Sequence, residues 1–154
     1  MPVHDKRERI LAAALELFAE QGFHGAPTSA IAARAGIGVG TIYRYFKDKD
    51  DLIQQLFRQL HQSFRLRLTA DLSPEQPVRA RFITIFSRLL RLFIDAPQEF
   101  RFMEQYYYSP YGSDCHVQVP EEEEVVRQPL AEARCQGLIK DAPMEVLERS
   151  SLGG

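Results

Sequence analysis

The sequence predicts an all-α protein. Apolar residues recur at helical spacing from early in the chain, as at Ile10, Ala14, Leu17 and Phe18, and no segment shows the alternation of a half-buried strand. Capping residues stand where these segments begin, and glycines follow several of them. The 154 residues, 45% hydrophobic and 26% charged, have the composition of a globular protein of one or two small domains.

The first two helices are delimited by glycine and threonine. The first is expected over about residues 5–21, ending at Gly22, where glycine offers a left-handed cap. Thr28 is the expected N-cap of a two-turn helix over residues 29–35, because its hydroxyl can accept from a free backbone N–H. Gly36 then ends that helix.

Two further helices complete the first part of the chain. The third is short and is expected over residues 39–45. The fourth is expected over about residues 49–68, with Asp48 as its N-cap. Asp50 and Asp51 stand in its first turn, where carboxylates interact favourably with the helix dipole.

The second part of the chain is also expected to be helical. Residues 73–76, Ser-Pro-Glu-Gln, have the pattern of a capping box and predict the beginning of a fifth helix. Pro97 begins a sixth helix, which the sequence Ser-Pro-Tyr-Gly at 109–112 breaks into a loop. A last helix is expected over residues 121–136, interrupted at Pro129.

Charge argues against unspecific binding to nucleic acid. The formal net charge is −2, so a nucleic-acid site would have to be local. Residues 53–92 carry an excess of arginine, but these arginines alternate with apolar residues, which predicts that they line the solvent faces of helices. They are Arg58, Arg65, Arg67, Arg79, Arg81, Arg88 and Arg91.

Several other classes of protein are not favoured. The charged N-terminus and the lack of an apolar run of roughly 18 residues predict a cytoplasmic protein without a membrane span. Cys115 and Cys135 are expected to be free thiols. The four glutamates at 121–124 point around a helix, so no metal site is expected there. No catalytic constellation or phosphate-binding loop stands out, so we expect neither an enzyme nor a cofactor.

Residues 28–43 have the layout of a helix-turn-helix, two short helices joined by a tight turn that contains glycine. Alanines at 32 and 33 allow the two helices to approach closely. The outer face of the third helix offers hydroxyl groups and cations suited to phosphates, and Arg44 can reach a guanine edge. The residues of this face are Thr41, Tyr43, Arg44 and Tyr45, with Lys47 and Lys49 beyond them.

An ordered set of segments over residues 9–57 resembles the tetracycline-repressor (TetR) family of bacterial transcriptional regulators. The family usually has a serine at the position of Gly38, so a polar cap of the third helix is expected to be missing. The matching segments are Ile10-Leu-Ala-Ala-Ala-Leu-Glu-Leu-Phe18, Gly22-Phe23, Thr28-Ser-Ala-Ile-Ala, Ala35-Gly-Ile and Gly40-Thr-Ile-Tyr-Arg-Tyr-Phe-Lys47, followed by Lys49 and Asp51-Leu52.

The resemblance implies a DNA-binding domain over residues 1–48, with three helices, and a helical effector-binding domain over residues 49–154, which the fourth helix joins to it. It also implies a homodimer on double-stranded DNA with a pseudo-palindromic operator. Arg44 is our own addition, as a base contact. The positions assigned to DNA through the resemblance are Thr28, Ser29, Val39, Gly40, Thr41, Tyr43, Tyr45 and Lys49.

A small-molecule effector in the second domain is expected to release the DNA, which would make the protein a repressor, with the fourth helix as the coupling element. Aromatic side chains of the fifth and sixth helices could line its pocket, although plain core packing is the alternative for each of them. The candidates are Phe86, Phe93, Phe102, Met103, Tyr106 and Tyr107.

The resemblance leaves a second function open. Family members usually continue with two long helices that build the dimer interface, and this chain is expected to lack them. The alternative is therefore a helical module for effector binding or protein interaction, in which truncation of the dimer interface impairs DNA binding.

Overall fold

A computed structural model describes residues 3–113, and every regular element in that part of the chain is a helix, as the sequence predicts. The expected helix over residues 121–136, Cys115, Cys135 and the glutamates at 121–124 lie outside the described residues. The helices are α1 (Val3–Gly25), α2 (Thr28–Ala35), α3 (Val39–Tyr45), α4 (Lys49–Thr69), α5 (Val78–Asp95), α6 (Pro97–Tyr108) and α7 (Pro110–Ser113).

Helix α1 continues one turn beyond its predicted end. Gly22 departs from helical geometry with φ 76° and ψ 172°, but the chain returns to helix and ends at Gly25. The prediction of an end at Gly22 is therefore wrong, although the residue does interrupt the helix. A side chain would be strained at this positive φ, which is why glycine suits the position.

Helix α2 begins one residue earlier than predicted. Its N-cap is Pro27, which makes no side-chain hydrogen bond, and Thr28 is already helical. The carbonyl oxygen of Pro27 accepts from the N–H groups of Ala30 at 3.0 Å and Ile31 at 3.2 Å. The assignment of Thr28 as N-cap is thus wrong, because the extended backbone at Pro27 already supplies the turn into the helix.

The predictions for α3 and for the beginning of α4 are confirmed. Helix α3 covers Val39–Tyr45, and its N-cap Gly38 makes no side-chain hydrogen bond, as expected where a serine is missing. Asp48 caps α4, because its Oδ1 accepts from the N–H of Asp51 at 2.8 Å. The bounds of α3 and the cap of α4 can thus be predicted from neighbouring residues alone.

The predicted capping box at residues 73–76 forms an isolated turn instead of a helix. The N–H of Glu75 donates to the Ser73 hydroxyl, and the N–H of Ser73 donates to Gln76 Oε1, each at 3.3 Å. Helix α5 begins only at Val78, after Pro77. Pro77 disfavours helical geometry at the residue before it, so the helix cannot start at the box.

Helix α6 begins at Pro97, as predicted, and the chain breaks at Ser109. The predicted loop is nevertheless wrong in its first part, because Pro110–Ser113 form the short helix α7. The Ser109 hydroxyl accepts from the N–H of Tyr111 at 3.2 Å, so this serine caps the new turn.

One hydrophobic core joins the first three helices to α4 and α6. Phe102 of α6 is fully buried, and its ring centroid lies 6.1 Å from that of Phe18 and 5.5 Å from that of Phe23, both on α1. Tyr106 of α6 stacks on Phe57 of α4 with centroids 3.8 Å apart. Helix α6 therefore packs directly against the helices around the helix-turn-helix.

The arginines of α5 do not all face solvent. Arg79 and Arg91 are exposed, but only 3% of the surface of Arg81 is accessible. The prediction that these arginines line solvent faces is therefore wrong for Arg81. It lies one turn before the buried Ile85 on the inner face of α5, where a helical pattern would place an apolar residue.

Replacement of Phe102 by alanine is expected to destabilise the protein strongly. The ring is fully buried between aromatic side chains of α1, so its loss leaves a cavity, and we expect a decrease of about 3–5 kcal/mol in the free energy of unfolding. Urea denaturation followed by circular dichroism measures this change.

Tyr108→Ala on the same helix is the matched control, because 74% of the Tyr108 surface is accessible. Its cost should be about 0.5 kcal/mol or less. Equal losses in the two variants would show that Phe102 does not anchor α6 to α1.

Candidate DNA-binding surface

Helix α3 is held by one buried side chain and presents its other side to solvent. Ile42 is buried in the core, and Phe46 directly after the helix is buried as well. On the other side Tyr43 is 52% exposed, and Arg44 beside it is also exposed. An aromatic residue and an arginine on an open face have no packing function there, which favours contact with a partner.

The turn between α2 and α3 is fixed by backbone hydrogen bonds. Gly36 is left-handed, with φ 67° and ψ 38°, and its N–H donates to the Ala33 carbonyl at 3.1 Å. The N–H of Ile37 donates to the Ala32 carbonyl at 3.0 Å, which completes a glycine-terminated helix end. The angle between the two helices therefore depends on local backbone geometry.

Helix α1 also holds this turn. Arg9 Nη2 donates to the carbonyl oxygen of Ala35, the last residue of α2. A Cβ atom at Gly36 would lie 2.9 Å from the same nitrogen. Glycine is thus needed at position 36 both for its positive φ and for the close approach of Arg9.

The beginning of α3 is open to a close approach. Gly38 and Gly40 have no atom within 4 Å of the position that a Cβ would occupy. Val39 between them is exposed. A partner such as the sugar-phosphate backbone of DNA can therefore come near the peptide backbone at this end of the helix.

The remaining predicted contact residues differ in exposure. Ser29 is exposed, and Thr28 and Thr41 are half-buried. Tyr45 is half-buried and packs against the hydrophobic core, so less of its ring is available than that of Tyr43. The structure thus brings Val39, Gly40, Tyr43 and Arg44 together on the open face.

Lys49 is half-buried, unlike Tyr43 and Arg44. Its Nζ lies 5.9 Å from the ring centroid of Phe18 in the core, and burial lowers the pKa of its ammonium group. Lys47 is exposed at the same end of α4. The sequence analysis named Lys47 among the cations suited to phosphates, and that role stays a prediction.

Two carboxylates fix the connection between α3 and α4. Asp51 Oδ2 accepts from the backbone N–H of Lys47 at 2.9 Å, while the N–H of Asp51 donates to Asp48. Gln55 Nε2 donates to both oxygens of Asp51 at 3.1 Å. The hydrogen bonds from Lys47 and Gln55 hold the pKa of the Asp51 carboxyl below its ordinary value.

A further hydrogen bond reaches this connection from α7. The Tyr111 hydroxyl donates to Asp50 Oδ1 at 2.6 Å. Burial, and then the neighbouring Asp50, raises the pKa of Tyr111 to about 12. Its ring also stacks near Tyr106, with centroids 5.9 Å apart, so the end of α6 is tied to the first turn of α4.

The six candidates for an effector pocket do not form one group. Phe102, Met103 and Tyr106 are buried in the core that joins α6 to α1 and α4. Phe86, Phe93 and Tyr107 are exposed large hydrophobic residues. A role in effector binding stays a prediction for all six.

Among residues 3–113, no group of three or more His, Cys, Asp or Glu side chains could hold a metal ion. No helix in the same part of the chain has the length and apolarity that crossing a membrane requires.

Comparison with known proteins agrees with this geometry. Residues 10–56 match the family model described as "Bacterial regulatory proteins, tetR family". This range includes the whole helix-turn-helix and the first part of α4. This part of the chain is therefore similar to the tetR family of bacterial regulatory proteins.

Two curated relatives match mainly in this region. The Fatty acid metabolism regulator protein of Bacillus subtilis (strain 168) is 35% identical over 83 residues, which are 54% of this chain and 43% of the relative. The HTH-type transcriptional regulator UidR of Escherichia coli (strain K12) is 47% identical over 53 residues, 34% of this chain and 27% of the relative. The match thus spans less than half the length of each of these two relatives.

A solved structure matches over more of the chain. A TetR family transcription regulator from Marinobacter aquaeolei VT8 superposes with a TM-score of 0.75 at 25% identity. The match covers 94% of this chain and 76% of the other. The arrangement of an N-terminal helix-turn-helix and a following helical domain is therefore that of the tetR family.

Acid is expected to weaken the connection between α3 and α4. Because the folded-state pKa of Asp51 is lowered, its contribution to stability is present above the unfolded pKa of about 4 and is lost as the pH falls through the lower folded value. Asp51→Asn should therefore destabilise the protein at neutral pH and much less at a pH below both the unfolded and the folded pKa of Asp51. Urea denaturation of both proteins at a series of pH values measures the difference, and a difference independent of pH would contradict this role of the carboxylate.

Proposed function

We propose that the protein is a DNA-binding transcriptional regulator of the repressor type. The observation that carries the proposal is the exposed face of α3, where Tyr43 and Arg44 lie beside an open helix start at Gly38 and Gly40. Tyr43 is suited to a phosphate and Arg44 to the edge of a guanine in the major groove. The names of the two curated relatives, both regulators, support the same function.

The proposal includes the partners that the family resemblance implies. The protein binds double-stranded DNA as a homodimer on a pseudo-palindromic operator, in the cytoplasm, and a small-molecule effector in residues 49–154 releases it. Residues 1–48 form the DNA-binding domain in this scheme. We expect no enzymatic activity, since the relatives are regulators.

The alternative, a helical module with impaired DNA binding, is less well supported. It assigns no role to the exposed face of α3. Tyr43 and Arg44 on that face are both open to solvent and so available to a partner. The alternative also gives no reason for the unobstructed glycines at the start of α3. Both observations are explained by contact with DNA.

The test is selection of bound duplexes from a random DNA pool, followed by fluorescence anisotropy on the enriched duplex and on a scrambled one. Wild-type protein should enrich a sequence with two related half-sites, and its affinity should fall as salt is raised. Enrichment of no sequence, or affinity unaffected by salt, would contradict the proposal and favour the alternative.

Two substitutions on α3 should have different consequences. Tyr43→Ala removes a phosphate contact and should weaken binding to all duplexes by a similar factor. Arg44→Ala removes a base contact and should relax the preference at one position of each half-site, at a cost of about 1–3 kcal/mol. Anisotropy on the enriched duplex and its single-base variants distinguishes the two.

Arg67→Ala is the control for a lost positive charge, because Arg67 is exposed in the last turn of α4, far from α3. It should leave both affinity and base preference close to those of the wild type. Losses in Arg44→Ala that are equal on every base variant would refute its assignment as a base contact.

A further inference from the structure

Helix α5 contains a buried charge that the proposed DNA contacts do not use. Arg81 has 3% of its surface accessible, and its Nε and Nη1 atoms are buried without a hydrogen-bond acceptor in the described part of the chain. A guanidinium group stays charged at all ordinary pH values, and burial of an unpaired charge is costly. An anionic partner would compensate the charge of this buried guanidinium group.

A second arginine on the same face of α5 shows how a guanidinium is normally satisfied there. Arg88 lies two turns after Arg81, and its Nη1 donates to the carbonyl oxygens of Leu68 at 3.0 Å and Ala70 at 2.5 Å. These carbonyls belong to the C-terminal end of α4, so Arg88 joins the two helices. Arg81 lies beyond this end, toward the N-terminus of α5.

The N-terminus of α5 adds positive potential at the same place. Its N-cap is Pro77, no side chain caps it, and its first turn contains no acidic residue. The free N–H groups of a helix N-terminus attract anions. Because helical side chains lean toward the N-terminus, the side chain of Arg81 lies over the uncapped turn.

The surroundings favour one negative charge attached to an apolar body. Arg81 supplies one positive charge, which a single carboxylate balances, whereas a doubly charged phosphate would be left partly uncompensated. Ile85, one turn later on this face, is buried, and the ring of the half-buried Phe82 stacks on that of the exposed Phe86 with centroids 5.9 Å apart. Apolar and aromatic surface beside one charged anchor suits the apolar part of such an acid.

We propose that Arg81 and the N-terminal turn of α5 bind the carboxylate of an apolar small-molecule acid. This inference rests on the proposed function in so far as it makes that acid the effector. Helix α4 has 21 residues and is therefore about 30 Å long, so the anion site lies at the end of α4 that is distant from α3. The acid would then act on DNA binding from a separate site.

The experiment compares the wild type with Arg81→Met by isothermal titration calorimetry on the full chain. The probes are straight-chain carboxylates from acetate to palmitate, the primary alcohols of the same lengths, and inorganic phosphate. At least one carboxylate should bind about tenfold or more tightly than its alcohol, since a charged hydrogen bond distinguishes them. Arg81→Met should abolish that difference.

Arg91→Met is the matched control, because Arg91 is an exposed arginine on the same helix. It should retain the preference for the carboxylate. The inference is overturned if no carboxylate binds, if carboxylate and alcohol bind equally, if Arg81→Met keeps the preference, or if phosphate is preferred.

Ligand-free stability gives a second readout that needs no probe. If Arg81 is an open anion site, Arg81→Met removes an unpaired buried charge and should raise the Tm. A lowered Tm would show that Arg81 pairs with a carboxylate of the protein itself, and would overturn the inference.

DNA binding separates this inference from the proposed function. Binding of a carboxylate that depends on Arg81 but leaves the affinity for the enriched duplex unchanged would support the anion site and contradict its role as effector site. Failure to bind any duplex, with carboxylate binding intact, would contradict the proposed function alone.

Discussion

The insertion of Phe102 against helix α1 is the interaction on which the rest of the structure depends. Helix α1 uses one side to pack against α2 and the other to receive α6, with Phe102 beside Phe18 and Phe23. A three-helix unit of this size would otherwise expose these phenylalanine rings to water, at a cost of about 25 cal/mol for each Å². The helix-turn-helix and α6 therefore share one core.

This shared core links the position of α6 to the positions of α1 and α4. Tyr106 stacks on Phe57 of α4, and Tyr111 donates to Asp50 in the first turn of the same helix. A shift of α6 would thus change its contacts both with α1 and with the beginning of α4. The sequence suggested α4 as the coupling element, and the structure adds α6, which reaches both helices.

The position of α3 depends on two sets of hydrogen bonds, one at each of its ends. At one end the left-handed Gly36 and the hydrogen bond from Arg9 set the turn from α2. At the other end Asp48 accepts from the N–H of Asp51, and the Asp51 carboxylate accepts from the N–H of Lys47. Because each set of hydrogen bonds involves α1 or α4, a movement of those helices would change the direction in which Tyr43 and Arg44 point from α3. In the proposed function, this would be the physical route from a distant ligand to the affinity for DNA.

Local rules of sequence account for what was predicted correctly. The bounds of α3, the cap at Asp48 and the start of α6 at Pro97 follow from a few neighbouring residues. Helix α5 began later than predicted because Pro77 overrides an otherwise good capping box. The exposed side of α3 follows for the same reason, since α3 is short and its single buried side chain fixes which side is open.

Contacts between distant segments could not be predicted in this way. The position of Lys49 over Phe18, the insertion of Phe102 into the N-terminal core and the burial of Arg81 all depend on which helix packs against which. Periodicity identifies an apolar face but not its partner, and it assigns an arginine to solvent by default. Arg81 is the most informative departure, because it places a charge where the pattern calls for an apolar residue.

The most direct test of the shared core is native-state hydrogen exchange of the full chain under increasing, sub-denaturing urea. The account predicts that amides of α1 around Phe18 and of α6 around Phe102 exchange through the same cooperative opening, with equal free energies and equal dependence on urea. Exchange of the α6 amides through a separate opening of much lower free energy, while α1 stays protected, would contradict it. In that case the helix-turn-helix would be stable without α6, and Phe102 would not be the link between the two parts of the protein.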